Sequence, residues 1–345
     1  MTITPSRLGA INGVVTAYAD QNALFLKMFS GEVLTAFKRS CVFRNLTLEK
    51  TLTAGKSAQF PIIGRAIGRY HTPGNMVAGQ GSIGQNEVII NVDDLVIADA
   101  TIYDLDDAKN HYDSRQIYSV ELGEALARLW DRRVARVTCL AARQSVSDLT
   151  ANLPTGLTPD QQPRTGTRIN LANASPTGNN LVSAVFAAAQ AMDEKDVPPN
   201  ERYLVCRPDM YYSLIQSDRA VNQDWNQGNG GAPGSYREAQ LTKLAGFTVL
   251  KSNHLAQGNV TAPTGEQGFV WNGSTTQLSS VDMTQTRMLA FQRGAVGVAK
   301  LRGMSMQMTG NDYNAMYQST LMVGKFIAGF GYIRPEATVE IYNTL

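Results

Sequence analysis

Cysteine and histidine are scarce in this sequence, with three of each among 345 residues. Cys41, Cys139 and Cys206 show no paired spacing. Neither a disulfide framework nor a zinc site is therefore expected, and three ordinary thiols in a reducing compartment fit the pattern. His71, His111 and His254 each lack a partner at a ligand spacing such as H-x-x-x-H. H-E-x-x-H and G-x-S-x-G are absent, which leaves a Ser/His/Asp triad without sequence support. A dominant charge sign is missing too: 31 Lys+Arg stand against 29 Asp+Glu, a net of +2. Affinity for nucleic acid built on a basic patch needs concentrated cationic charge, so this balance argues against it, though not against a protein that lies beside nucleic acid. The first residues, Met1 to Leu8, lack the apolar run of a signal peptide. The longest late apolar run, Leu321 to Ile333, is interrupted by Lys325 and is too short to cross a bilayer. A mean hydropathy of -0.19 and 43% hydrophobic residues predict a soluble chain, intracellular when made, with enough apolar mass for a sizeable core. Its length points to two domains or one elaborated domain.

Three motifs suggest ligands and fail on context. Gly55-Lys56-Ser57 resembles the end of a phosphate-binding loop. The pattern needs a glycine where Lys50 stands, and a helix where Ser57 opens a strand containing Pro61. A turn at the base of a projection explains it better. Gly79-Gln-Gly81-Ser-Ile-Gly84 matches G-x-G-x-x-G, yet a Pro-Gly turn precedes it and a strand follows, the reverse of a dinucleotide site. Asp93, Asp94, Asp99, Asp104, Asp106 and Asp107 form an acidic run. Hard-metal ligation needs convergent oxygens, so solvated strand edges and a negative helix start are the simpler reading. Turned toward nucleic acid, such a surface would repel phosphate and let the nucleic acid slide without sticking.

What the chain does carry is a sequence of shapes. Asn22 to Phe37 places Leu24, Phe25, Met28, Phe29, Val33, Leu34 and Phe37 at helical spacing, an amphipathic stretch that Gly31 can break. Ser57 to Ile63 and Glu87 to Val92 read as two strands of a flap joined by a glycine-rich region. A two-stranded projection is not stable alone in water, so it predicts contact with another surface. From Asp106 to about Val146 there is no proline and one glycine, Gly123. Tyr118, Leu122, Leu126, Leu129, Val137 and Leu140 follow three-and-four spacing, with Trp130, Val134 and Ala141 widening the stripe. Forty residues at about 1.5 Å each predict a rod of roughly 60 Å. Thr150 to Gly178 is the best linker candidate. Beyond it come an Ala-rich helix over Asn180 to Lys195, strands over Arg202 to Cys206 and Gly246 to Leu250, and a short helix over Pro208 to Ser217. Gln227 to Ser235 reads as an exposed loop. The end is strand-rich, with Met304, Met306 and Met308 alternating, as do Ala337, Val339 and Ile341. Met283, Met288, Met304, Met306, Met308, Met316 and Met322 suit either a packed core or an adaptable interface. The class is α+β.

Asn22 to Phe37, Ala54 to Pro61, Ile102 to Asp113, Arg293 to Arg302 and Gly331 to Ala337 resemble, in the same order, the major capsid proteins of T7-like podoviruses. The resemblance implies the HK97-type fold. It would divide the chain into an N-terminal arm (1–50), an extended E-loop (51–91), a peripheral domain with a spine helix (92–149 and 298–324) and an axial domain (150–297 and 325–345). It implies a structural, non-enzymatic head protein of a tailed double-stranded DNA phage, without cofactor, metal or membrane partner. Such a chain self-assembles as hexamers and pentamers into an icosahedral shell. The implied partners are further copies, a scaffolding protein, a portal protein, a decoration protein, and packaged DNA by non-specific proximity. Its place is the virion, after assembly in the host bacterial cytoplasm. On this reading Leu24, Phe25 and Phe29 anchor the arm, and Lys56, Arg65 and Arg69 put charge where the E-loop meets a neighbour. Leu122, Leu126 and Trp130 hold the spine against its sheet. The alternative is an encapsulin-like cellular compartment of the same fold, holding enzyme cargo.

Overall fold

A computed structural model describes residues 41–63, 70–76, 85–92, 95–109, 114–145, 165–171, 177–217, 241–255, 281–309 and 311–344. In chain order the elements are β1 (Leu48–Thr51), β2 (Ser57–Ile63), β3 (Gln85–Asn91), β4 (Val96–Tyr103), α1 (Asp104–Lys109), α2 (Ser114–Arg143), β5 (Thr167–Asn170) and α3 (Gly178–Asp193). Then follow β6 (Arg202–Cys206), α4 (Pro208–Ile215), β7 (Lys243–Leu244), β8 (Phe247–Lys251), β9 (Thr286–Gln292), β10 (Val296–Met308), α5 (Asn311–Tyr317), β11 (Ser319–Tyr332) and β12 (Thr338–Tyr342). Helices combine with sheets of mixed parallel and antiparallel pairing, and the class is α+β.

The chain divides into two compact units. The described part of the first comprises Ile97–Ala127 and Met304–Lys325, and the second comprises Cys41–Val96, Arg128–Gly303 and Phe326–Leu345. The four boundaries among the described residues fall inside β4, α2, β10 and β11. In the first unit β4 alternates: Ile102 is buried while Ile97, Asp99, Thr101 and Tyr103 are exposed. The period of two puts Ala98, Ala100 and Ile102 on one face, where they pack with Leu122 of α2 and Met322 of β11.

The second unit is built on a six-stranded sheet in the order β5-β12-β9-β6-β8-β7. Its middle strands β9 and β6 pair antiparallel, Leu204 opposite Ala290, and both are buried. Leu181, Val185, Ala188 and Met192 repeat at helical spacing and are the buried stripe of α3. β2 and β3 form their own antiparallel ribbon, Ser57 opposite Asn91 through Ile63 opposite Gln85. Ala58, Phe60 and Ile90 on one face of that ribbon pack with Ala299 and Ile333. The root of the flap is thus covered by its own chain, so the intermolecular contact argued from its instability is not needed there. Gly329 of β11 passes so close beneath the ribbon that a Cβ would stand 2.0 Å from the Asn91 carbonyl oxygen. No residue with a side chain fits.

Two expectations need correction. The rod is the 30-residue α2, about 45 Å long, preceded by the separate α1. Ser114, the first residue of α2, is a type that favours helix starts over helix interiors, and apolar spacing alone does not register that. Gly123 does not break α2. The linker candidate is also too long: Thr167–Asn170 is β5, paired parallel with β12. Its burial alternates over only four residues, too few for the pattern to stand out among polar neighbours.

Candidate functional site

The described residues present no catalytic constellation, but two buried carboxylates and a set of exposed apolar residues stand out. The first carboxylate is Asp131, fully buried on α2. It accepts hydrogen bonds from the Cys41 thiol at 2.6 Å and from the backbone N–H groups of Val42 at 2.9 Å and Phe43 at 3.1 Å. The Nδ1 of His254 lies 2.6 Å from its other side. Cysteine, histidine and aspartate in one place resemble a nucleophile site. Here, however, the carboxylate stands between thiol and imidazole. Burial, with the charge of Asp131 added to it, pushes the Cys41 thiol up to about 12. A thiol held protonated is a hydrogen-bond donor, not a nucleophile. Asp131 is an anchor: it fixes the chain at Cys41–Phe43, the first described residues of the second unit, and Phe43 stacks on Phe291 at 5.9 Å.

The second carboxylate is Glu340 on β12. Arg143 grips it with both ends of the guanidinium fork, Nη2 at 2.6 Å and Nε at 2.8 Å. Arg168 Nε adds a contact at 2.9 Å and Thr286 Oγ1 one at 2.7 Å. Burial would raise the Glu340 carboxyl, yet the Arg143 hydrogen bonds and charge, with Thr286 and Arg168, bring it below its ordinary value. Burial and the Glu340 charge push the neighbouring Cys139 thiol up to about 12. This hub ties the end of α2, β5, β9 and β12 together and has no open position for a substrate.

The residues singled out from sequence fall in different places. Leu24, Phe25, Phe29, Arg65 and Arg69 lie outside the described residues, as do Asp93, Asp94, His111 and the Gly79–Gly84 motif. Lys56 is exposed in the turn that enters β2, its carbonyl accepting the Val92 N–H at 2.8 Å. Gly55 before it takes φ +116°, and Ser57 starts a strand, so no helix N-terminus faces a phosphate. Leu122 packs with Ile102 and Met322, Leu126 is fully buried, and Trp130 meets Phe326 and Phe330 edge-to-face at 5.5 and 4.9 Å. Among the described residues no group of histidine, cysteine and carboxylate side chains is arranged to hold a metal ion. No described helix is long and apolar enough to cross a membrane.

The exposed apolar residues are densest in the first unit. Leu105 is 65% exposed and Met316 80%, and Ile97, Tyr103, Tyr118, Met304, Met308 and Tyr317 are also open. Met283, Met288 and Met322, by contrast, are buried. The methionine-rich quarter therefore serves both roles, core and open surface. Tyr103 and Leu105 lie inside the acidic run, where charge drew the attention and the two apolar residues went unremarked. A small domain rarely leaves so much apolar surface in water without a partner for it.

These features accompany clear relatives. A family model described as Gp10A-like major capsid protein matches residues 59–342. The chain is 32% identical over 332 residues to the major capsid protein of Escherichia phage T7, covering 94% of this chain and 93% of that one. It is similar to the solved capsid of the cyanophage P-SCSP1u, with a TM-score of 0.76 and 38% identity, over 100% of this chain and 99% of the other. The mature capsid subunit of bacteriophage PhiM1 shares the fold, with a TM-score of 0.70 at 19% identity over 99% of each chain.

Proposed function

The chain belongs to the Gp10A-like major capsid protein family, and on that premise we propose that it closes, as hexamers and pentamers, into an icosahedral shell around double-stranded DNA. Its fold is the HK97 type, and it is a structural head protein of tailed-phage virions. The observation that carries the proposal is the family match from residue 59 to residue 342, nearly the whole folded chain. The exposed apolar residues of the first unit support it, since contact with neighbours is the simplest way to remove them from water. The relatives are phage proteins, which lends no support to a cellular compartment shell.

Within this reading the four-part division into arm, E-loop, peripheral and axial domains describes how copies interlock. Leu24, Phe25 and Phe29 anchor the arm, and Lys56, Arg65 and Arg69 carry E-loop charge to a neighbour. Leu122, Leu126 and Trp130 keep the spine rigid. Assembly takes place in the host cytoplasm with a scaffolding protein and a portal, and a decoration protein is a further partner. DNA lies against the shell without a basic site, as the net charge of +2 suits.

Electron microscopy of the overexpressed chain, with and without a scaffolding protein, tests this. Closed icosahedral particles are expected, and a compact monomer under both conditions would overturn the reading. Leu122→Asp should abolish assembly, because an unpaired carboxylate in the Ile102–Met322 cluster is costly to bury. Normal particles from that variant would remove the spine from the argument.

A further inference from the structure

The end of the central strand pair sets two like charges against each other. β6 and β9 run antiparallel with Cys206 opposite Met288. Arg207 continues the extended backbone beyond Cys206, at φ -67° and ψ 152°. The next pair outward is therefore Arg207 and Arg287, and the Arg207 N–H donates to the Arg287 carbonyl at 3.4 Å. Residues directly opposite in an antiparallel pair turn their side chains to one face, and like charges there repel. One of the two cannot escape into water, for Arg207 is only 5% exposed. Its Nη2 donates to the carbonyl oxygens of Met283 at 3.0 Å and Thr284 at 3.5 Å, which are neutral acceptors. Burial first, and then the charge of Arg287, lower its guanidinium from the ordinary value, and Asp209 offsets part of this. Asp209 is exposed at the start of α4, its Oδ1 accepting the Met210 N–H at 2.9 Å. On the half-buried Arg287, the Nε is shut off from solvent and has no hydrogen-bond partner among the described residues. A buried donor left without an acceptor is costly, and a charged one more so.

We infer that Arg207 and Arg287 together form a binding site for a small dianionic oxyanion of the inorganic phosphate class. Two guanidiniums against the Asp209 carboxylate leave an excess of positive charge for an anion to neutralise. Guanidinium N–H groups match the oxygens of phosphate, and a tetrahedral anion has enough oxygens to meet both residues at once. The burial of Arg207 selects the size of the ligand. A duplex backbone cannot follow a side chain so nearly closed off, whereas a free ion needs only a narrow opening. The inference is independent of the shell reading above.

Calorimetric titration of the purified full-length chain with inorganic phosphate tests it, at mildly alkaline pH and with ionic strength held constant by chloride. Saturable binding is expected, and Arg287→Gln should weaken it by about ten-fold or more, the loss of one charge-assisted contact. No saturable binding, or equal affinity in the variant, would overturn the inference. Acetate binding as tightly as phosphate would overturn the assignment to a dianion. Binding of a duplex oligonucleotide that depends on Arg287, without binding of inorganic phosphate, would overturn it as well and give the pair to nucleic acid. Urea midpoints supply a second arm that a merely structural arginine would not satisfy. Without phosphate, Arg287→Gln should leave the midpoint unchanged or raise it, since a repulsion is removed. Phosphate should then raise the midpoint of the unmodified chain more than that of the variant. A variant that is destabilised without phosphate, and gains as much from it as the unmodified chain does, counts against the site.

Discussion

The second unit resolves its difficult groups internally, whereas the first leaves its own unresolved. In the second, Asp131 and Glu340 are fully buried charges, and each is surrounded by donors from distant parts of the chain. In the first, the buried cluster of Ile102, Leu122 and Met322 is modest, while Leu105, Met316 and Tyr317 face solvent. The contrast recurs along α2. From Leu122 to Trp130 one stripe is buried, whereas from Asp131 to Cys139 every residue but Arg132 is. A helix buried all round belongs to a core, and one buried on a single stripe has a free side to offer. The buried charges are concentrated in one unit, and exposed large apolar side chains are denser in the other, although Tyr70, Met76, Phe186 and Tyr212 of the second unit are open too.

The comparison is most easily broken at the two carboxylates. Asp131→Ala removes the acceptor for two backbone N–H groups, a thiol and an imidazole in one step. Its cost should be about 3–5 kcal/mol, read as a lower urea midpoint. A loss below about 1 kcal/mol would mean that the anchor is replaceable by water. Glu340→Gln comes next, at about 3 kcal/mol, because it leaves the Arg143 fork short of its counter-charge. Glu340 also sets a pH dependence. Its folded carboxyl titrates below the ordinary value of 4.5, so its contribution is fully present above that value. It is lost as pH falls through the depressed folded value. Acid unfolding followed below pH 4.5 should be shallower in Glu340→Gln than in the unmodified chain. Equal slopes would show that the hub does not drive acid sensitivity.

A smaller effect belongs to the flap. Gly329→Ala sets a methyl against the Asn91 carbonyl, which must move, and about 1–3 kcal/mol is expected. Amide exchange should locate the loosening in β2 and β3. Exchange unchanged there would separate the flap from β11.

Much of this was legible in the sequence, for reasons that differ by residue. Ser57–Ile63 and Arg202–Cys206 are strands to the residue, because β-branched and aromatic types lie between clear turn signals. Leu122, Leu126 and Trp130 show at helical spacing. The two carboxylates were not legible. Asp131 meets partners 88 to 123 residues away, and Glu340 meets Arg143 at a separation of 197. Nothing local distinguishes such an aspartate from a surface one. The strand β1 was absorbed into the arm, since all four residues of Leu48–Thr51 are exposed and pairing with β10 alone defines it.

The smallest effect on folding should come from the exposed apolar residues of the first unit, and that smallness is the sharpest test of the contrast between the units. Met316 is 80% exposed and Tyr317 is open beside it, so in the isolated subunit neither loses much water contact on folding. Met316→Ser should therefore leave the urea midpoint within about 0.5 kcal/mol of the unmodified chain, as surface substitutions generally do. In assembly the same change removes apolar area from a contact that many copies repeat, so a small loss per copy is multiplied over the particle. Shell yield at limiting subunit concentration, measured by sedimentation, should fall while the subunit stays folded. If instead Met316→Ser lowers the midpoint and spares the yield, Met316 is part of the first unit's own stability. The division of labour between the two units would then not hold.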